Sequence, residues 1–151
     1  MAEAQNRPVG VVVCSASPQA LDRLIAPGHG TRMLRVAPDE TMAVGAPALG
    51  DDVRRELHDR ITALDEDALV LDVSDGWFGL ALTGADADRA LSYLSALEPP
   101  QADGFVQGDV ARVAAKILRE PDGFLLLVPA YWGEYLRLRA LEDTGAQAVG
   151  P

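Results

Sequence analysis

Two stretches of this chain follow one plan: PDETMAVGAP from Pro38 and PDGFLLLVPA from Pro121 each set a Pro-Asp turn ahead of a short apolar strand and a Pro-containing exit. The segments before them also agree, since PQALDRL from Pro18 matches ADADRALSYL from Ala85 in its helical pattern. Order of elements, turn type and helix placement coincide together, which marks an internal repeat and limits the folds available to those built from two like units. Each half reads β-α-β-β-α, the order of a ferredoxin-like split unit. The expected fold class is therefore α+β, a tandem repeat with mainly antiparallel sheet and helices packed on it. The join lies in LVLDVSDGWFGLALTG, Leu69 to Gly84, where one strand turns at Ser74-Asp75-Gly76 into the next. The halves are expected at about 9–68 and 69–143 of a single domain spanning 1–151, with a flexible tail over 144–151.

The elements follow from local chemistry. After a loose start, Val9 to Ala16 is a β-branched run bounded by prolines and reads as a buried strand. Ser17 can cap a helix with Pro18 in its first turn, and Ala26-Pro27-Gly28-His29-Gly30 stops it. A hairpin is expected from strands at 32–36 and 41–44. From Asp51, Val53, Leu57, Ile61 and Leu64 fall on one helical face, with Asp51 and Asp52 favouring the helix dipole. On the hinge strand Leu69, Leu71 and Val73 share one side. The strand from Trp77 to Leu82 is apolar on both sides, which suits a central position. A helix from Ala85 is followed by a loop to Gly108. Val110 to Leu118 then alternates as one strand, with Ala111, Val113, Ala115 and Ile117 inward and Arg112 and Lys116 outward. The last helix begins near Ala130.

At 151 residues the chain can bury a real core without a staple. Its net charge of −10 repels phosphate backbones and anionic lipid, so neither nucleic acid nor a membrane surface is an expected partner. MAEAQNRPVG has neither the charged nor the apolar region of a signal peptide, and no apolar run approaches the roughly 20 residues of a membrane span, so a cytoplasmic location is expected. Cys14, the single cysteine, lies in VGVVVCSA and reads as a small buried hydrophobe.

At the hinge the residues carry a resemblance. VLDVSDGWFGLALTGADADRALSYL resembles the central signature of the gamma subunit of heterotetrameric sarcosine oxidase, a turn of D-x-S-D-G-W type, an apolar strand ending in glycine and an Ala/Leu helix. The matching positions are Asp72, Ser74, Asp75, Gly76, Trp77, Leu82, Gly84 and Leu91. RVAPDETMAVGAP fits the family's Pro-Asp-Glu segment through Pro38, Asp39 and Glu40, although Thr41 stands where that family usually has Trp. Phe105 to Gly108 with DGFLLLVPAYWGEYL is a third match. The resemblance implies a fold similar to the folate-binding domain of aminomethyltransferases, itself built from duplicated halves. It also implies a heterotetrameric oxidoreductase complex that demethylates sarcosine or another N-methyl amine. FAD, FMN, NAD, zinc and tetrahydrofolate would then be carried by partner subunits of alpha, beta and delta type. This chain would be an accessory subunit with no catalytic, cofactor-binding or metal-binding residue of its own.

The residues themselves leave other readings open. Asp72, Ser74 and Asp75 could hold a pterin, as in a stand-alone folate-binding one-carbon protein, yet Ser-Asp-Gly is ordinary turn chemistry. Asp72, Ser74, Asp75, Gly76 and Gly84 are therefore assigned to a structural hinge. A small-molecule sensing domain of ACT type also repeats ferredoxin-like units. His29 and His58 would need to converge with carboxylates to bind a metal, and both are expected at the surface. In AYWGEYLRLRAL, Tyr131, Trp132, Tyr135, Leu136, Leu138 and Leu141 cover more than one helical face, and the three aromatic residues with Trp77 form the expected partner interface.

Overall fold

The computed structural model describes residues 1–28, 30–47 and 50–150. Its first half runs β1 (Glu3–Asn6), β2 (Gly10–Ser15), α1 (Pro18–Arg23), β3 (Arg32–Ala37), β4 (Glu40–Gly45), α2 (Gly50–Thr62) and β5 (Leu69–Asp72). One 3-10 turn, Ser74–Gly76, leads into β6 (Trp77–Thr83), α3 (Ala87–Leu94), β7 (Phe105–Val110), β8 (Val113–Glu120) and β9 (Gly123–Pro129). A second 3-10 turn, Ala130–Trp132, precedes α4 (Gly133–Thr144) and β10 (Gln147–Ala148). The class is α+β with antiparallel pairing dominant, as the sequence predicted.

The chain divides into two units. The first, Pro8–Ser74, has the sheet order β3-β4-β2-β5, antiparallel throughout, with α1 and α2 connecting its strands as in a ferredoxin-like split unit. Ser17 Oγ caps α1 by accepting the Ala20 N–H at 3.2 Å, with Pro18 in the first turn. Val53, Leu57 and Ile61 on α2 pack with Val12, Cys14, Ala43 and Val70. Burial and the Asp65 carboxylate push the Cys14 thiol up to about 11, so it stays protonated.

The second unit joins Met1–Arg7 to the chain from Asp75 onward, in the order β10-β1-β6-β9-β8-β7. Its core gathers Leu80, Leu82, Leu91, Ile117, Phe124, Leu126, Val128 and Leu136. β6 is an interior strand between β1 and β9, in keeping with its two apolar faces.

Strand pairing reveals how the repeat is threaded. β1 precedes the first unit but pairs with β6 of the second, while β5 pairs with β2 of the first before the chain crosses at Ser74-Asp75-Gly76. Each repeat thus gives its leading strand to the other unit. Asn6 opposite Leu80 and Asp72 opposite Val12 hold the same place in the two ladders. Each is followed by a matching bond, Arg7 N–H to Gly79 O and Val73 N–H to Val11 O, both 2.9 Å.

Several expectations change. The loose start carries β1, which buries Ala4, and β10 near the other end pairs parallel to it. β5, which heads the second repeat in sequence, completes the sheet of the first unit. The loop to Gly108 and the single strand 110–118 become β7, a two-residue turn at Ala111-Arg112 and β8. Both turn residues have positive φ, 50° and 68°, the geometry of a tight hairpin with the right-handed twist. Leu69 and Leu71 are exposed while Val70 faces the core. The last helix starts at Gly133, after the 3-10 turn.

Candidate functional site

The hinge residues form a closed hydrogen-bonded turn. Asp72 Oδ1 accepts the Ser74 N–H at 2.9 Å and the Ser74 hydroxyl at 2.6 Å, an Asx turn, while Ser74 Oγ accepts the Val11 N–H at 2.9 Å. The Ser74 bonds hold the Asp72 carboxyl below the usual carboxylate range, with Arg54 adding to them. Its other oxygen lies at the start of α2, where a Cβ on Gly50 would stand 3.1 Å from it. Asp75 is exposed and Gly76 has open space around it.

A pterin needs donors and acceptors left free. Asp72 Oδ1 already accepts both Ser74 bonds, and among the described residues no buried side-chain nitrogen or oxygen lacks a partner. No group of three metal-ligating side chains occurs among them either. His58 is exposed, its Nδ1 3.7 Å from Asp59, and His29 lies outside the described residues. Gly84 serves the frame: at φ +100° its N–H bonds Asp122 O at 3.0 Å, and a side chain there would strike the backbone oxygen of Met1.

A cavity of about 350 Å³ beside the Pro121–Gly123 turn is lined by Gly84, Asp88, Arg119 and Asp122. Its cation is committed internally: Arg119 bonds Asp88 at 2.8 Å and Pro100 O at 3.0 Å, and stacks 4.2 Å above the Phe124 ring centroid. That leaves a small anionic ligand no free guanidinium edge from these contacts.

The aromatic residues divide. Tyr131 is 80% exposed and Trp132 42%, on the 3-10 turn between β9 and α4. Gly133 presses that turn onto β6, since a Cβ there would meet the Phe78 ring at 2.5 Å. The rings form a chain, Tyr131 to Trp132 at 5.7 Å and Trp132 to Tyr135 at 5.6 Å edge-on. Tyr135 differs from its neighbours in being half-buried against the core, and its hydroxyl donates to Ala111 O at 2.8 Å, closing the β7–β8 turn. Trp77 is half-buried at the head of β6, opposite Pro129, with Lys116 Nζ 5.5 Å from its ring centroid. Of the four aromatic residues, Tyr131 and Trp132 are therefore the exposed ones, and Leu138 on α4 is exposed as well. Sequence reasoning missed the exposed leucines of β5, because spacing puts Leu69 and Leu71 on one side without saying which side is covered.

No protein-family profile matches the sequence, and no characterised protein matches it by sequence. Solved structures do share the fold. A chain of the heterotetrameric sarcosine oxidase from Corynebacterium sp. U-96, in complex with pyrrole 2-carboxylate, superposes with a TM-score of 0.73 at 18% identity, over 99% of this chain and 88% of that one. The glycine cleavage system aminomethyltransferase T from Bartonella henselae gives 0.69 at 17% identity over 99% of this chain, which spans about half, 48%, of that protein. An aspartate kinase from Clostridium acetobutylicum gives 0.50 at 10% identity over 95% of this chain and 34% of that enzyme. At such identities the likeness is one of fold. No helix among the described residues is long and apolar enough to cross a membrane.

Proposed function

We propose that this chain is a non-catalytic, gamma-type subunit of a cytoplasmic, heteromeric, flavin-dependent complex of sarcosine oxidase type, which oxidatively demethylates an N-methyl amine. The observation that carries the reading is end-to-end likeness to one chain of a heterotetrameric sarcosine oxidase, nearly the whole of each chain being covered. The hinge supports it from the chemical side, because Oδ1 of its carboxylate is taken up by the amide and hydroxyl of Ser74, ordinary turn chemistry. Tyr131 and Trp132 supply the docking surface, with Tyr135 against Trp132, and Trp77, half-buried opposite Pro129, completes the proposed interface. FAD, FMN, NAD, tetrahydrofolate and zinc belong, in this reading, to partner subunits of alpha, beta and delta type.

The experiment is purification of the tagged chain from its native host under mild conditions, with the mass of the assembly and its absorbance near the flavin bands recorded together. A yellow assembly several times heavier than this 16.0 kDa chain is expected, and the double variant Tyr131→Ala/Trp132→Ala should lose it. A colourless monomer or homodimer would reject the proposal. The aminomethyltransferase likeness favours a folate-binding one-carbon protein as the second reading. Saturable quenching of tryptophan fluorescence by tetrahydrofolate, weakened in Asp72→Asn, would support that alternative.

A further inference from the structure

The sheet of the first unit ends on β5, and among the described residues no strand pairs with its outer edge. Val73 donates to Val11 O, and the register sets Asp72 opposite Val12 and Leu71 opposite Val13. In the antiparallel alternation Leu69, Leu71 and Val73 therefore bond β2, while the N–H and C=O groups of Val70 and Asp72 point outward. Val70 packs into the core, and Leu69 and Leu71 leave from the opposite face, 54% and 47% exposed. Natural sheets blunt their edges with charge, proline or cover, so two large apolar side chains on an open edge are an exception that calls for a reason.

Charge narrows the occupant. Asp65, Glu66 and Asp67 lie just before the strand and Asp72 closes it. Asp65 accepts the N–H groups of Ser17 and Asp67, which hold its carboxyl low, and Asp72 is held low by Ser74, so both ends stay anionic at neutral pH. We propose that the outer edge of β5 takes up an extended segment of another protein, with apolar residues at alternate positions and Lys or Arg at both ends. Main-chain bonds to Val70 and Asp72 would fix its register, Leu69 and Leu71 would cover its apolar side chains, and the flanking carboxylates would select its charge. A second copy of β5 fits poorly, because antiparallel self-pairing brings acidic ends together.

The test uses the whole chain with two synthetic peptides, KKVTVTVKK and EEVTVTVEE, followed by fluorescence anisotropy and by hydrogen exchange of individual amides. The basic peptide should bind saturably, protect the amides of Val70 and Asp72, and lose affinity as salt shortens the screening length. Leu69→Thr/Leu71→Thr keeps strand-forming residues at exposed positions and should weaken binding at least about tenfold. Glu66→Lys/Asp67→Lys should move the preference toward the acidic peptide, and Tyr131→Ala/Trp132→Ala should leave binding unchanged. Equal binding of both peptides, binding by neither, protection elsewhere than on β5, or concentration-dependent dimerisation through these leucines would each overturn the proposal.

Discussion

β4 of the first unit and β9 of the second occupy the same place in their ladders and fill it differently. Thr41 stands opposite Cys14 where Phe124 stands opposite Leu82, and Ala43 opposite Val12 where Leu126 stands opposite Leu80. The turns before them align without a gap, Asp39 O accepting from Ala16 as Asp122 O accepts from Gly84. Both units also tie their hairpin to the preceding helix with an Arg–Asp pair, Arg35 to Asp22 at 2.9 Å and Arg119 to Asp88 at 2.8 Å. Ladder and turn therefore set the topology, and side-chain volume varies within it. The larger side chains of the second unit give it the larger apolar core, and its sheet adds β7 beyond β8 and β10 beyond β1; the first packs smaller residues and leaves β5, the counterpart of β1, with a bare apolar edge.

Core truncations should separate the units most widely. Leu126→Ala, which makes β9 resemble β4, is expected to cost about 3 kcal/mol or more, and Val12→Ala in the first unit about 2 kcal/mol, both read from urea midpoints. Equal costs would break the comparison. Next comes the turn: Gly123, φ +155°, would drive a Cβ into Leu82 O, whereas Glu40 holds the equivalent place without a positive φ. Gly123→Ala should cost about 2 kcal/mol and Glu40→Ala less than about 0.5 kcal/mol. Tyr135→Phe removes the bond to Ala111 O and should cost about 1 kcal/mol, with faster hydrogen exchange in the β7–β8 turn as a second readout.

The repeat was legible because its signals are local: a Pro-Asp turn at the same offset, a serine cap ahead of Pro18, and apolar residues at helical spacing on α2. β1 was not, because EAQN is polar and needs only Ala4 to reach the core. The turn at Ala111-Arg112 carries neither glycine nor asparagine, and the alternation of apolar residues runs on through it, so period alone reads one strand. Period also assigns Leu69 and Leu71 to one face of β5 without saying which face is covered. Of the aromatic residues, Tyr131 and Trp132 stood out by composition. The role of Tyr135 depends on a backbone carbonyl in a turn that the sequence hides.

The smallest expected effect bears on the two exchanged strands themselves. β1 ends on Asn6, which cannot titrate, and β5 ends at the equivalent place on Asp72, whose carboxyl is held low by the Ser74 hydroxyl first and the Ser74 amide second. A carboxyl with a lowered folded-state pKa adds stability above its unfolded value, about 3.9, and loses that contribution as pH falls through the folded value. Asp72→Asn keeps an acceptor for Ser74 and removes only the charge. Since Asp72 is exposed and screened, the loss at pH 7 should stay below about 1 kcal/mol. Melting curves of the two proteins should differ at pH 7 and converge as pH falls through the lowered folded value. A difference that persists in acid would mean that Asp72 acts through hydrogen bonding that Asn does not reproduce and not through its charge.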